Sequence, residues 1–282
     1  MRNLVFNVQG GEKRSVDLAN SFSEELRVAE MAAREAGETI MALYGKDYRI
    51  EKKVEGDPVT TADLEANLKI QKILLGRYPE DGWLSEENKD SFRRLKAARV
   101  WVIDPIDGTK EFIQRIPQFA VSIALVVEGH PVLGVVYNPA ENKLFMAVRG
   151  SGATLNDCSI RVSPREDSKG AHLLVSRTEP RRMFRSFADL YRLEPVGSIA
   201  YRLALVAGGK GDGTLTFRSI REWDVCAGAM IVEEAGGVVV DGDGRSLRFN
   251  QPDPFYRGLV ASNETLTYAI QETLSRSWEN RR

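Results

Sequence analysis

The segment Trp101–Thr109 constrains this chain more than any other stretch of its 282 residues. A short apolar run reaches Asp104, a proline follows it, and Asp107 stands three residues further on. Such a run predicts a buried strand, and the proline interrupts the hydrogen-bond ladder of that strand. The strand therefore carries two carboxylates and the intervening carbonyl group of Ile106 to its end.

This strand end is suited to bind a cation or a phosphate group. Asp104, Asp107 and the Ile106 carbonyl could face one metal ion, and Gly108 lets the main chain approach a ligand closely. The N–H groups of Gly108 and Thr109 open a predicted helix, whose N-terminus attracts phosphate, and Thr109 could orient or deprotonate a water bound to the metal. The alternative is an aspartate-rich turn after a strand, which is a common feature of protein chains.

Histidine and cysteine chemistry has little support in this sequence. The chain contains two histidines, His130 and His172, and two cysteines, Cys158 and Cys226, with no CxxC motif. A histidine-rich zinc site and a disulfide framework are therefore excluded, and a reducing, cytoplasmic location is expected. Oxygen ligands remain, and these favour hard cations such as Mg²⁺.

The charge balance argues against polyanionic partners. Lys and Arg number 39 and Asp and Glu number 40, which gives a formal net charge of −1. No general attraction to a nucleic acid polymer or an anionic membrane follows. Residues 1–20 contain no continuous apolar run, so we predict an N-terminal extension or an edge strand there rather than a signal peptide or a membrane span.

The hydrophobic pattern predicts an α/β protein with two unlike halves. Residues 22–44 and 61–76 have helical spacing, with Thr60 or Thr61 as the cap of the second helix. An antiparallel meander is expected over residues 119–148. We predict an α+β domain over residues 21–160 and an α/β domain, with alternating strands and helices, over residues 161–282.

Three further acidic residues stand at predicted element ends. Glu86 follows the short strand 83–85, Asp63 begins a helix, and Asp224 precedes the apolar helix 225–235. Surface charge explains Glu86 and Asp63 equally well, and an aspartate at a helix start is commonly a cap. The apolar residues that follow Asp224 predict that its side chain is partly buried. A buried carboxylate needs a partner or a metal ion.

Four segments, taken in order, resemble the inositol monophosphatase superfamily of Mg²⁺-dependent, lithium-sensitive phosphatases. They are residues 57–63, 84–87, 104–109 and 223–228. The resemblance implies a layered α/β/α/β/α fold. It also implies that two or three Mg²⁺ ions are held by Glu86, Asp104, the Ile106 carbonyl, Asp107 and Asp224.

The resemblance further implies a mechanism. A metal-bound water attacks a phosphate monoester in line, and Mg²⁺ stabilises the leaving alkoxide. Asp63, Glu86 and Thr109 are the catalytic residues expected beside it, with Thr109 and Asp63 positioning the water or accepting its proton. Bound cations also explain how so many carboxylates could stay ionised close together.

Details beside these segments resemble one branch, the 3′(2′),5′-bisphosphate nucleotidases of the CysQ type. Lys110 and Glu111 follow the DGT sequence as they do in that branch, and Ser85 replaces the glycine that is usual before the paired glutamates. Phe217 stands where the inositol enzymes carry a glutamate that accepts hydrogen bonds from ring hydroxyls. Its ring could stack on a nucleobase or belong to the core.

A set of residues is predicted to bind substrate. Ser176 and Arg177 resemble the branch's Ser-Arg-Ser segment, and Arg177 either meets a second phosphate or is a solvated surface charge. Gly197 and Ser198 are expected to hold the sugar through main-chain donors. The full predicted substrate-binding set is Gly108, Thr109, Ser176, Arg177, Gly197, Ser198 and Asp224.

The predicted activity is Mg²⁺-dependent removal of the 3′-phosphate of adenosine 3′,5′-bisphosphate, giving AMP and phosphate, with the 5′-phosphosulfate as a further substrate. Inositol monophosphate and fructose 1,6-bisphosphate are the alternative substrates. A catalytically silent, cation-binding regulatory protein is the alternative of another class. The expected partner is thus a small phosphorylated molecule, and a homodimer is compatible with the sequence.

Overall fold

The structure, a computed structural model, describes residues 22–52 and 57–279. The predicted N-terminal extension over residues 1–20 lies outside the described residues. The helices are α1 (Ser23–Leu43), α2 (Thr61–Arg77), α3 (Thr109–Ile113), α4 (Arg185–Ala188), α5 (Ile199–Ala207), α6 (Glu222–Glu234) and α7 (Glu264–Glu279), with 3₁₀ turns at Arg93–Lys96 and Arg181–Phe184. The strands are β1 (Ile50–Lys52), β2 (Pro58–Thr60), β3 (Gly82–Ser85), β4 (Arg99–Asp107), β5 (Ala120–Val127), β6 (His130–Asn138), β7 (Lys143–Val148), β8 (Ala153–Leu155), β9 (Cys158–Ile160), β10 (His172–Ser176), β11 (Arg192–Val196), β12 (Gly213–Arg221), β13 (Val238–Asp241) and β14 (Phe255–Ser262).

The strands form two large sheets and one small ladder. Strands β3 to β9 make a seven-stranded sheet in sequence order, antiparallel except for the parallel pair β3–β4. The second sheet has the order β11-β10-β12-β14-β13, with β11, β10 and β12 parallel and β14 antiparallel to both neighbours. The predicted meander is thus confirmed. The domain boundary at residue 160 stays a prediction, although the first sheet ends at Ile160 and the second begins at His172.

The two sheets and the helices that cover their faces form five layers. Trp101 and Ile103 of β4 pack with α1 and α2, whereas the alternate residues Val100 and Val102 pack with α5 and α6 between the two sheets. The outer face of the second sheet is covered by α7, through residues such as Ile270. The predicted layered α/β/α/β/α fold is confirmed.

Helices α1 and α2 begin and end close to their predicted bounds. Each buries a stripe at helical spacing, exemplified by Ala29 and Ala33 of α1. Thr60 caps α2: its Oγ1 accepts a hydrogen bond from the Ala62 N–H, while Asp63 accepts one from the Thr60 N–H. This reciprocal pair fixes Asp63 at the start of α2.

Strand β4 is longer than the sequence indicated. We expected it to end at Asp104, but it continues through Pro105 to Asp107. The register with β5 shifts between Asp104 and Asp107, so the proline lies where the ladder is already interrupted. Pairing resumes at Asp107 opposite Ala120. The irregularity keeps both carboxylates at one end of the sheet.

Helix α6 packs closely against the seven-stranded sheet. Gly134 of β6 permits this, because a Cβ atom there would lie 2.7 Å from the carbonyl oxygen of Ala227. Although α6 is rich in apolar residues, neither it nor any other described helix is long and apolar enough to cross a membrane.

Candidate active site

A cavity of about 1240 Å³ opens where β4, β10 and β12 meet the starts of α5 and α6. Its lining includes Asp104, Asp107 and Asp224. Each of these offers one carboxylate oxygen, and the three oxygens lie within 4.8 Å of one another. The structure thus brings together three of the predicted metal ligands. The first and last of them, Asp104 and Asp224, are 120 residues apart in the sequence.

Backbone groups fix the orientation of each carboxylate. Asp104 Oδ1 accepts a hydrogen bond from the Ile106 N–H (3.0 Å), within the irregular end of β4. Asp107 Oδ2 accepts one from the Ala200 N–H (2.6 Å), at the start of α5. Asp224 Oδ2 accepts one from the Arg221 N–H (2.9 Å), at the start of α6. Backbone donors at the ends of three elements, β4, α5 and α6, therefore orient the acidic groups of β4 and α6 toward one point.

The electrostatics of this cluster suit a divalent cation. Burial raises the pKa of Asp224 well above its ordinary value, and the charges of Asp107 and Glu86 raise it further. Burial likewise raises the pKa of Asp107, although bonds from Ser198 and Ala200 oppose the rise. Carboxylates this close repel one another unless positive charge lies among them. Their oxygen chemistry and spacing fit Mg²⁺.

Glu86 lies at the edge of this cluster rather than inside it. It follows β3, its N–H donates to the Ile103 carbonyl (3.2 Å), and it lines the same cavity. Its charge contributes to the raised pKa of Asp63, Asp107 and Asp224. The predicted ligand is therefore near the three closely spaced carboxylates but does not belong to that group.

Thr109 and Asp63 form a hydrogen-bonded pair beside the carboxylates. Thr109 Oγ1 lies 2.9 Å from Asp63 Oδ1 and 3.1 Å from the Ile106 carbonyl oxygen. Burial raises the pKa of Asp63 to about 6, although hydrogen bonds from Thr60 and Thr109 act in the opposite direction. A carboxyl group with a pKa near neutrality is able to take a proton and release it again.

The predicted substrate-binding residues divide into two groups. Gly108, with φ of +95°, and Ser176 line the cavity as expected. Arg177 is not among the lining residues, and its role as a ligand of a second phosphate stays a prediction. The chain turns after Ser176, whose Oγ accepts the Thr178 N–H, and the Arg177 guanidinium is directed to the Pro195 carbonyl (3.5 Å) on the exposed side.

Gly197 and Ser198 line the cavity, and both form hydrogen bonds to other residues of the protein. The Gly197 N–H donates to Gln118 Oε1 (2.9 Å), and Ser198 Oγ donates to Asp107 Oδ2 (2.6 Å). The Gly197 N–H thus has a partner within the protein, and its contact with a sugar stays a prediction. Ser198 instead orients one of the clustered carboxylates.

Two buried charged residues of the cavity were missed from the sequence. Arg202 is 4% exposed and Glu179 is 5% exposed, and both line the cavity. An arginine in the otherwise apolar helix α5 was a signal for the first, whereas nothing marked Glu179. Phe217 packs edge-on against Phe184 (5.3 Å between ring centroids) and does not line the cavity, so it offers no platform for a nucleobase.

Comparison with known proteins gives a consistent family. A family model described as the inositol monophosphatase family matches residues 22–281. The Nus factor SuhB of Escherichia coli K12 is 37% identical over 230 residues, which cover 77% of this chain and 84% of that protein. The Nus factor SuhB of Pasteurella multocida is also 37% identical, over 78% of this chain and 85% of that protein.

Solved structures agree with the sequence relatives. The extragenic suppressor protein SuhB of Bartonella henselae is 33% identical, with a TM-score of 0.81 over 89% of this chain and 98% of that chain. An IMPase of Thermotoga maritima is 30% identical, with a TM-score of 0.83 over 91% of this chain and 99% of that chain. The superfamily resemblance is thus confirmed, whereas none of these names supports the CysQ-type branch.

Proposed function

Because the chain belongs to the inositol monophosphatase family, we propose that it is a phosphoric monoester hydrolase that uses Mg²⁺ to act on small phosphorylated molecules. The observation that carries this proposal is the convergence of Asp104, Asp107 and Asp224 beside the Thr109–Asp63 pair. In that pair Asp63 accepts a hydrogen bond from Thr109 Oγ1 in addition to capping α2.

The proposed metal-binding residues are the three clustered aspartates, with Glu86 and the Ile106 carbonyl completing the set. Bound there, Mg²⁺ would offset the charge of the carboxylates and stabilise negative charge on the phosphate oxygens and on the leaving group. We include in this proposal that two or three Mg²⁺ ions are bound before the substrate arrives. Ser198 and the Ala200 N–H hold Asp107 in position for this role.

Thr109 and Asp63 handle the proton of the attacking water in this proposal. Thr109 Oγ1 accepts a hydrogen bond from the water while its own proton is shared with Asp63 Oδ1, 2.9 Å away. As the water attacks phosphorus, its proton passes to Thr109 Oγ1 and the hydroxyl proton passes to Asp63. A pKa of Asp63 near 6 keeps this acceptor ionised at neutral pH.

Two substrate classes fit this proposal. The 3′-phosphate of adenosine 3′,5′-bisphosphate is supported by the resemblance of Lys110 and Ser85 to the nucleotidase branch, and by Arg202, a buried cation that lines the cavity. Phosphorylated polyols such as inositol 1-phosphate are supported by the IMPase from Thermotoga maritima, 30% identical. Fructose 1,6-bisphosphate has two phosphate groups, like the nucleotide, and is also a phosphorylated polyol.

Phosphate release from these three substrates tests the proposal. Each is incubated with the wild type in Mg²⁺ or EDTA, beside Asp104→Asn and the control Asp243→Asn, which changes an exposed turn residue. We expect at least one substrate to be hydrolysed in Mg²⁺, EDTA and Asp104→Asn to abolish the reaction, and the control to retain it. If no phosphate is released from any of the three substrates, the proposal is wrong.

A second candidate role is that of a Nus factor, the name that the relatives at 37% identity carry. This role does not require hydrolysis. If the chain acts only in this way, Asp104→Asn leaves its effect in a transcription assay intact. Cytoplasmic location, lithium sensitivity and the absence of a nucleic acid partner stay predictions.

A further inference from the structure

The turn that carries Glu86 lies beyond the end of an edge strand. Among the described residues, β3 pairs with one strand of the seven-stranded sheet, β4. The turn runs from Ser85 to Asn88 and is closed by a hydrogen bond from the Asn88 N–H to the Ser85 carbonyl (3.3 Å), with Glu86 and Glu87 between them. The Glu86 N–H donates to the Ile103 carbonyl of β4 (3.2 Å). The sheet therefore holds this turn from one side.

The Asn67 side chain of α2 contacts both corner residues of this turn. Its Oδ1 accepts a hydrogen bond from Ser85 Oγ (2.7 Å), and its Nδ2 donates to Asn88 Oδ1 (3.0 Å). The Asn88 oxygen also accepts the indole N–H of Trp83 (2.8 Å). Because an indole N–H can only donate, this contact fixes which way both amides face. One amide of α2 therefore ties together the two ends of the turn.

The contact between Asn67 and Ser85 is buried. Asn67 is 3% exposed and Ser85 is 2% exposed. Buried polar groups are costly unless they are paired, and here the Ser85 hydroxyl and both polar atoms of the Asn67 amide have partners. Ser85 stands where the resembled superfamily usually has a glycine, which has no hydroxyl to donate. The serine therefore adds a specific bond to the turn that carries Glu86.

The helix that supplies Asn67 also supplies Asp63. The two buried residues are four positions apart, so they lie on the same face of α2, about one turn from each other. Asp63 contacts Thr109 (2.9 Å), whereas Asn67 contacts the turn of Glu86. One rigid helix therefore relates the position of the proposed proton acceptor to that of a proposed metal ligand.

We propose that Asn67 is a positioning residue that holds Glu86 at the proposed metal site through Ser85 and Asn88. This inference rests on the proposed Mg²⁺-dependent function and extends it to residues outside the ligand set. Groups that orient metal ligands contribute strongly to metal affinity, because a ligand already held in place loses less freedom when the ion binds. Without the Asn67 contacts, the ion itself has to order the turn.

Mn²⁺ binding measures this positioning independently of catalysis. The full chain is titrated with Mn²⁺, and the free ion is followed by electron paramagnetic resonance. Ser85→Ala removes one of the two contacts to Asn67, and Asn67→Ala removes both. Ser262→Ala is the matched control, because Ser262 is also buried and its Oγ donates to the Asp212 carbonyl, in the second sheet. Urea unfolding in EDTA measures the stability of each variant.

The expected result is a loss of metal affinity that stability does not explain. Ser85→Ala weakens Mn²⁺ binding about tenfold and Asn67→Ala at least as much, whereas Ser262→Ala is destabilised but keeps the wild-type affinity. The double variant of Asn67 and Ser85 binds Mn²⁺ no more weakly than Asn67→Ala, because the hydroxyl acts through the amide.

Three results overturn the proposal. The first is wild-type Mn²⁺ affinity in Ser85→Ala, a mild change that decides the question even if Asn67→Ala does not fold. The second is an equal loss of affinity in Ser262→Ala, which would make the loss a general effect of lower stability. The third is a double variant in which the two losses multiply, because Ser85 would then act independently of Asn67.

The titration also separates the inference from the function on which it rests. If the wild type binds Mn²⁺ and releases phosphate, but Ser85→Ala and Asn67→Ala bind the ion as tightly, the proposed function stands and the role of Asn67 is wrong. If the wild type binds no Mn²⁺, the proposed metal-dependent function itself fails and the inference fails with it.

Discussion

Ser198 has a structural role and a role at the site. It adopts φ of +57° directly before α5, and its Oγ accepts a hydrogen bond from the Tyr201 N–H (2.9 Å), which caps the helix. The same hydroxyl donates to Asp107 Oδ2. One hydroxyl group therefore stabilises the helix and orients a carboxylate of the cluster.

Replacing Ser198 should weaken both functions. We expect Ser198→Ala to lower the free energy of unfolding by about 1 kcal/mol through loss of the cap. Loss of the contact to Asp107 should weaken the apparent Mg²⁺ affinity by roughly tenfold. Urea unfolding and the Mg²⁺ dependence of phosphate release measure the two effects. The exposed Ser151→Ala is the control, and equal Mg²⁺ affinity in both variants would contradict the account.

Asp63 should make the metal-free protein less stable as pH rises. Burial raises its pKa from 3.8 to about 6, so the folded chain holds a proton that the unfolded chain has released. Between these two pH values the folded state binds more protons, and stability falls as pH rises, by on the order of 2 kcal/mol for this group. In EDTA, Asp63→Asn should lose less stability than the wild type between pH 4 and pH 7. Urea unfolding at both pH values measures this, and identical losses would refute the assignment.

The individual residues also show where sequence interpretation stops. Asp104, Asp107 and Asp224 were predictable as candidates because each stands near the end of a predicted element in an apolar context. The direction of the Arg177 side chain was not predictable, since it depends on the local backbone geometry of the turn after Ser176. Glu179 was missed because its significance arises only when β12 is placed beside it, a non-local contact.

At the scale of elements, the pairing of α6 with β6 determines the position of Asp224. Gly134 and Ala227 make the close approach between strand and helix, with Met230 of the same helix also near. A side chain on β6 at this point would push against the helix backbone. The position of the metal-binding carboxylate therefore depends on a glycine in the opposite element.

Gly134→Ala should disturb both stability and activity. Its Cβ would lie 2.7 Å from the Ala227 carbonyl oxygen, so α6 has to shift. We expect a loss of about 1–3 kcal/mol in the free energy of unfolding, as overpacked cores show, and a reduced rate of phosphate release. Gly76→Ala is the matched control, because nothing lies within 4 Å of a Cβ there. Wild-type stability in Gly134→Ala, measured by urea unfolding, would show that the packing is looser than described.

Element types were predictable, but several boundaries were not. The helices α1 and α2 followed from apolar periodicity, which is a local property. Strand β4 continued past Pro105 because its neighbour β5 tolerates a register shift there. Strand β12 reaches Arg221, since it pairs with β14 on both sides of an irregularity. Pairing partners, which the sequence does not specify directly, thus decided these ends.

At the scale of the whole molecule, both sheets contribute to one site. The seven-stranded sheet supplies Asp104 and Asp107, while α6, between the two sheets, supplies Asp224. The second sheet supplies Thr216 and, after β10, Glu179. The first half thus carries most of the proposed reaction chemistry, and the second half supplies Asp224 and further lining residues, among them Glu179, Arg202 and Thr216.

The central claim is that the converging aspartates bind divalent cations. Titration of the protein with Mn²⁺, followed by electron paramagnetic resonance, tests it without any choice of substrate. We predict that the wild type binds Mn²⁺, that Mg²⁺ displaces it, and that Asp224→Asn loses this binding while the exposed Asp243→Asn retains it. Equal Mn²⁺ binding by the wild type and Asp224→Asn, or none by the wild type, would contradict the account.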